Sequence, residues 1–233
     1  MSVPEAILHL EGAALAIEPA GGATAPIDVA VTAGDLVLVD LGDSRRAAAF
    51  ADALMGLVPP LAGRVLFEGR DWQEMPQLAA EALRGRIGRA FRDDLWLPFL
   101  SVADNIILRP AYHTRTSPSG LLIESSRLCR LLGLPGVPSG YPSEATEEDL
   151  RLAALARAFV GTPRLVVLEH PTERLGTALV GAILRLARTI RDEGGAVLWL
   201  VYGEALEVSA TVPATRRLRL IGNRLAPTDR VAA

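Results

Sequence analysis

The sequence predicts an α/β fold built on a doubly wound, mostly parallel sheet, and three observations carry that prediction. From residue 36 onward, short apolar segments alternate with helical stretches, the pattern of strands joined by crossover helices. The segments Arg164–Leu168 and Ala196–Val201 are apolar almost throughout, as strands covered on both faces must be. Finally, the apolar strand Leu36–Leu41 runs through a short polar turn into an Ala-rich helix, the strand–turn–helix frame in which a loop can cradle phosphates.

The elements follow in order. Ala6–Leu10, Ala13–Glu18 and Ile27–Val31 alternate or run apolar and read as strands of a small antiparallel sheet. After Leu36–Leu41 comes a helix over Arg45–Leu57. Val58-Pro-Pro-Leu-Ala-Gly63 is a stiff turn into the strand Arg64–Phe67, and Glu68-Gly69 marks a tight turn. A short helix is expected from Pro76 to Leu83 and a strand over Arg86–Phe91. From Leu95 to about Thr146, Pro, Gly and Ser interrupt the chain; one helix is expected there, near Leu121–Leu132, before a loop over 133–142. A helix Glu147–Val160, the strand Arg164–Leu168, an amphipathic helix near Leu175–Arg191 and the strands Ala196–Val201 and Arg216–Ile221 complete the reading. Internal repeats and low-complexity tracts are absent.

Composition narrows the function classes. The chain of 233 residues is 50% hydrophobic, enough for one large core or two close ones. A net charge of −3 gives no bulk attraction for nucleic acid, so no nucleic-acid partner is expected. The lone Cys129 forbids an internal disulfide, fits a reducing compartment and reads as a small buried helix residue. No basic stretch followed by an apolar one opens the chain, so no signal peptide is expected. The apolar run Ala196–Tyr202 is too short to span a bilayer, so the protein is expected to be cytoplasmic without direct membrane insertion. His9, His113 and His170 are too scattered to suggest a metal site, and no Ser/His/Asp or Cys/His nucleophile arrangement is legible.

The phosphate-binding frame lacks its chemistry. A working loop reads G-x-x-x-x-G-K-S/T; Leu41, Arg46, Ala47 and Ala48 hold the corresponding places around Gly42, Asp43, Ser44 and Arg45. The lysine that would reach the β/γ-phosphates and the hydroxyl that would hold Mg²⁺ are both alanines. Leu41 and Arg46 put Cβ atoms where glycines let the backbone approach phosphate. Arg45 and Arg46 either attract an anion at the helix N-terminus or are simply solvated first-turn arginines.

Together the blocks resemble the nucleotide-binding subunit of ATP-binding-cassette (ABC) transporters over almost the whole chain. Gly34 opens the phosphate-loop strand, and Leu57-Val-Pro-Pro-Leu-Ala-Gly-Arg-Val-Leu-Phe-Glu-Gly69 is similar to the segment behind the loop helix. Arg86-Ile-Gly-Arg-Ala-Phe91 and Ser101-Val-Ala-Asp-Asn105 resemble the approach to the Q-loop and its exit. Tyr141-Pro-Ser-Glu144 with Ala154-Leu-Ala-Arg-Ala158 resembles the surroundings of the signature motif, and Leu165-Val-Val-Leu168 with Pro171-Thr172 the Walker B strand. The resemblance implies a P-loop NTPase-like cassette with three parts: a RecA-like core (1–92 plus 155–233), an N-terminal antiparallel β subdomain within it, and a helical subdomain over 93–154.

At the positions that touch nucleotide in this family, the chain departs. The Q-loop Gln falls at Arg92 and the signature Leu-Ser-Gly-Gly-Gln at Ala145-Thr-Glu-Glu-Asp149. The Walker B Asp and catalytic Glu fall at Glu169 and His170, the D-loop Asp at Gly176 and the switch His at Tyr202. No aromatic precedes Phe50 to stack on adenine. Thr146 is a natural N-cap with Asp149 at its capping-box position, and Glu147, Glu148 and Asp149 set carboxylates where ATP would bring its own charge. No resident cofactor is therefore expected, with ATP and Mg²⁺ the ligands if binding survives. Glu169 could still ligate Mg²⁺ and His170 could act as a base.

The implied role is a subunit without ATPase activity that docks on a membrane permease, peripheral on the cytoplasmic face of the inner membrane. The apolar segment Asp94–Leu100, with Trp96 and Phe99, is the expected docking surface. In this family two subunits pair head to tail, each ATP lying between one loop and the other's signature. A chain that has lost both would spoil both sites of a pair, so a second ABC subunit beside it would be regulated rather than driven. An active atypical ATPase and a soluble interaction protein reusing the fold are the alternatives. Asn105–Leu122 is similar to the region after the Q-loop in Mla/Mce-type phospholipid transporters, which points to lipid cargo; amino acids or other small solutes are the alternative.

Overall fold

The computed structural model describes residues 6–17, 22–93, 95–173, 179–203 and 211–228. Two sheets organise them. A four-stranded antiparallel sheet has the order β2-β1-β4-β5, from β1 (Ala6–Ala14), β2 (Ile27–Thr32), β4 (Ala62–Phe67) and β5 (Arg70–Asp71). The two N-terminal strands expected at Ala6–Leu10 and Ala13–Glu18 are one continuous strand as far as Ala14. Gly12, at φ 57°, takes up the irregularity as a bulge rather than a turn. Glu18 lies outside the described residues.

The second sheet has six strands in the order β10-β9-β3-β8-β7-β6. Its members are β3 (Leu36–Asp40), β6 (Ile87–Ala90), β7 (Leu165–Glu169), β8 (Ala196–Val201), β9 (Arg216–Ile221) and β10 (Arg224–Pro227). All neighbours run parallel except the edge hairpin β9–β10. Every residue of β3, β7 and β8 is buried, which is why these strands read as unbroken apolar runs.

Apolar cores lie on both sides of this sheet. One joins it to the antiparallel sheet through α1 (Ser44–Leu54) and α2 (Gln77–Arg84). The other joins it to α3 (Val102–His113), α4 (Pro118–Leu131), α5 (Glu147–Phe159) and α6 (Val180–Asp192). Cys129 sits inside this second core on α4, and burial pushes its thiol up to about 11.

Helix α3 is the main element the sequence reading missed. Pro110 lies in its last turn, where the helix tolerates it while Thr114 folds back on the Pro110 carbonyl through both its N–H and its hydroxyl. Ser101 caps the start of α3 by accepting from the Asp104 N–H at 3.0 Å. The buried Asn105 side chain ties the preceding loop to the helix by donating to the carbonyls of Leu97, Leu100 and Ser101. Helix α5 runs unbroken from residue 147 to 159 and packs on α3, α4, β6 and β7.

Candidate functional site

The parallel strands end side by side at one edge of the sheet, where a doubly wound fold places its ligands. Asp40 closes β3, Glu169 closes β7, Val201 closes β8 and Ala90 closes β6. The loops beyond them carry the residues singled out by sequence: Gly42 to Ala48, Arg92, His170 and Tyr202. A cleft of about 550 Å³ opens there, lined by Ser44, Arg45, Ala48, Arg89, Arg92 and Glu169 among others. Gly176, expected at the D-loop position, lies outside the described residues.

The turn before α1 satisfies its own donors. Asp43 is the N-cap, and its Oδ1 accepts from the Arg45 and Arg46 N–H groups at 2.9 and 3.0 Å. Its Oδ2 faces Arg46 Nε at 3.2 Å. Asp40 accepts from the Gly42 N–H at 3.1 Å and pairs with Arg219 Nε at 2.8 Å. Amides that would otherwise point at a bound anion are thus held by a carboxylate of the same turn. Ala47 packs into the core, Ala48 offers no hydroxyl, and Arg45 stands exposed. The chain contains no lysine anywhere, so none from another segment could stand in.

Between α1 and the end of β7 lies a residue to which sequence reasoning gave no role. Arg89 of β6 is buried, and its guanidinium donates through Nε to Glu169 Oε1 and through Nη1 to Asp52 Oδ1, each at 2.5 Å. Nη2 lies 3.4 Å from the Ala48 carbonyl, and the Phe91 ring covers the guanidinium at 4.3 Å. Burial raises the Glu169 carboxyl above its ordinary range, with the adjacent Arg89 charge pulling the other way. The signal was a charged side chain in the short strand Ile87-Gly-Arg-Ala90, otherwise apolar.

A second network joins Arg92 and Tyr202, the residues expected from sequence at the Q-loop and switch positions. Arg92 holds Glu173 in a bidentate pair at 2.9 and 3.0 Å, and the Tyr202 hydroxyl donates to the same carboxylate at 3.2 Å. Burial alone would raise Glu173, but the Arg92 hydrogen bonds and charge prevail and hold it below its ordinary value. Burial, reinforced by the Glu173 charge, pushes the Tyr202 phenol up to about 12. The His170 ring packs tilted against Tyr202, with centroids 4.1 Å apart and planes at 40°, and its backbone is left-handed at φ 48°. Its Nδ1 is buried without a hydrogen-bond partner among the described residues, and burial lowers the imidazole pKa, favouring the neutral ring.

Arg151 of α5 fastens the helices to this edge. Buried at 5% exposure, it donates to the carbonyls of Phe91 (2.6 Å), Arg92 (3.1 Å), Glu169 (3.3 Å) and His170 (3.1 Å). At the start of α5, Thr146 accepts from the Asp149 N–H at 3.1 Å, as the capping reading expected. Glu147, Glu148 and Asp149 follow in the first turn.

The expected docking residues separate. Phe99 is 72% exposed, whereas Trp96 packs against the helical core under the Arg157 guanidinium, 4.6 Å from the ring. An apolar groove of about 620 Å³ lies beside them between α2, β6 and α3, lined by Leu95, Leu97, Leu108 and Tyr112 among others. Leu95 and Tyr112 are 60% and 80% exposed. Among the described residues, no helix is long and apolar enough to cross a membrane, and no three His, Cys, Asp or Glu side chains gather as a metal site would require.

Comparison with known proteins places this architecture. The chain superposes on a dimeric bacterial ABC transporter cassette with a TM-score of 0.81 at 15% identity, covering 97% of this chain and 99% of that one. It is 27% identical over 180 residues to the lipoprotein-releasing system ATP-binding protein LolD of Syntrophotalea carbinolica, covering 77% of this chain and 79% of LolD. In fold and over most of its length the chain is similar to ATP-binding subunits of transporters. A further relative, the Fe(3+) ions import ATP-binding protein FbpC of Streptomyces coelicolor, is 30% identical over 225 residues, which cover 94% of this chain and 62% of FbpC. No family profile matches the chain.

Proposed function

We propose that this chain is an ABC subunit that neither binds Mg²⁺-ATP productively nor hydrolyses it, and that it serves a membrane permease as a structural or regulatory partner. One observation carries the reading: the places that should receive the nucleotide are joined to one another by the chain's own side chains. Asp43 takes the loop amides, the Arg89 guanidinium fills the space between Glu169 and α1, and Arg92 is held by Glu173, whose carboxylate also accepts from Tyr202. These residues do not fit Mg²⁺-ATP. The loop has Ala47 and Ala48 where a working loop would hold its lysine and its metal-binding hydroxyl, and the α5 N-terminus presents Glu147, Glu148 and Asp149 to any incoming polyphosphate. The Nδ1 of His170, at the expected place of the catalytic Glu, accepts or donates no hydrogen bond among the described residues, so no carboxylate there orients the ring as a base.

The groove lined by Leu95, Leu97, Leu108 and Tyr112 is the surface that would receive a permease segment, with Phe99 at its margin and Trp96 supporting it from inside. Docking would hold the subunit on the cytoplasmic face without inserting it. Because it supplies neither a working loop nor a working signature turn, pairing it with an intact ABC subunit should leave that partner's ATPase rate unchanged or lower it. The cargo does not follow from kinship: one relative is named for lipoprotein release and another for Fe(3+) import. A lipid cargo rests only on the Asn105–Leu122 similarity.

The experiment is a steady-state ATPase assay of the purified subunit, alone and with its permease, beside an intact cassette. Turnover at the background rate in both settings supports the proposal. Mg²⁺-dependent turnover that disappears in Glu169→Gln would replace it with an atypical ATPase.

A further inference from the structure

Arg89 is an unusual choice for the interior of a parallel sheet. Its neighbours in β6 are Ile87, Gly88 and Ala90, all buried, and its own side chain is 4% exposed. The guanidinium meets three oxygens on two elements: the Glu169 carboxylate of β7, and the Asp52 carboxylate and Ala48 carbonyl of α1. Met55 Sδ, 3.8 Å from Nη1, and the Phe91 ring close the remaining sides. Two carboxylates and a backbone carbonyl form a hard-oxygen donor set of the kind that Mg²⁺, Mn²⁺ or Ca²⁺ selects. A carboxylate as buried as that of Glu169, 3% exposed, requires a positive partner. The chain supplies one that cannot dissociate.

We propose that Arg89 is a resident cation: it fills the space between Glu169, Asp52 and the Ala48 carbonyl that a divalent ion would otherwise take, and its removal turns that space into a divalent-cation site. The proposal goes beyond the functional reading above, because it concerns the metal alone and holds whether or not any nucleotide binds. The guanidinium gives α1, β6 and β7 a tie that a metal-dependent protein has only when loaded. It leaves the wild-type cleft indifferent to divalent ions. Asp52, with a side chain 37% exposed, has room to swing toward an ion once the guanidinium is gone. The rival account is an ordinary buried ion pair, whose loss weakens the fold and which metal does nothing to repair.

The test is titration of the full chain with Mn²⁺ alone, free of nucleotide, read by electron paramagnetic resonance of the unbound ion and by thermal unfolding. Wild type should bind no Mn²⁺ and show no shift in Tm. Arg89→Ala should bind one equivalent, with a Kd on the order of 0.1–1 mM, the range of weak oxygen-ligand sites. Mn²⁺ should also raise its Tm, and adding Glu169→Gln should abolish both effects. Arg89→Lys, which keeps a cation in place, should stay indifferent. If Arg89→Ala is unfolded without metal, recovery of the fold on adding Mn²⁺ supports the proposal equally. An Arg89→Ala chain, folded or not, that ignores Mn²⁺ in both measurements overturns it. So does wild type binding Mn²⁺ as tightly as the variant.

Discussion

Arg151→Leu should be among the most damaging single substitutions in this protein. The leucine retains much of the aliphatic stem but removes a guanidinium that serves the carbonyls of Phe91, Arg92, Glu169 and His170. A hydrogen bond from a charged donor contributes about 1.5–3 kcal/mol, and bonds sharing one donor group do not add in full. Truncation leaves these buried acceptors behind, so the expected loss is about 3–5 kcal/mol, the range for breaking a buried charged arrangement from one side. In a chain of this length each kcal/mol moves Tm by about 2–4 °C, which predicts a fall of about 6–20 °C. Urea unfolding followed by far-ultraviolet circular dichroism measures it, with Arg151→Lys as a control that keeps the charge but not the fork. Amide exchange should also speed up at Phe91–Asp93 and at His170, where the clamp holds the loops. A loss below about 1 kcal/mol in Arg151→Leu would refute the claim that this side chain fastens α5 to the sheet edge.

Other outcomes follow from the same geometry. Glu173 has a folded-state pKa below its unfolded value, so its contribution is present above about pH 4.5, its ordinary value, and is lost as pH falls through the lower folded value. Glu173→Gln should therefore flatten the acid limb of the stability–pH curve. Glu169 is shifted upward and acts oppositely: it favours the fold at acid pH, and that advantage fades as pH rises through its folded value. Trp96→Ala should destabilise the chain by about 1–3 kcal/mol, as loss of a half-buried aromatic does, whereas Phe99→Ala should change stability by less than about 0.5 kcal/mol; urea midpoints separate the two. Leu95→Glu with Tyr112→Glu should leave the melting curve near wild type and abolish co-purification with the permease. Retained co-purification would remove the groove from the docking account.

Much of the fold was legible because burial on both faces writes itself as apolar runs. The strands β3, β7 and β8, together with the Ala-rich helix α1, stand close to where the sequence put them. Helix α3 was hidden by Pro110 and by flanking Pro and Ser, although Val102, Ile106 and Pro110 recur on one helical face. The edge strand β10 carries only exposed and half-buried residues, so no periodicity announced it. Ala47 and Ala48, read in the sequence at the places of Lys and Ser, lie in the first turn of α1. The side chains that pair around them were not foreseen. Arg89 meets Glu169 across 80 residues of sequence and Arg92 meets Glu173 across 81, and only the parallel pairing of β6 with β7 brings them together. Arg151 passed as one more polar residue on a helix, because its partners are backbone carbonyls without sequence identity.

The central claim is that these internal pairs have replaced the nucleotide, and calorimetric titration of the purified chain with Mg²⁺-ATP tests it most directly. The account predicts no saturable heat and no rise in Tm up to millimolar ATP. Saturable binding that weakens when Arg45 and Arg46 are replaced by Ala would contradict it, by showing that these arginines rebuild a phosphate site at the start of α1.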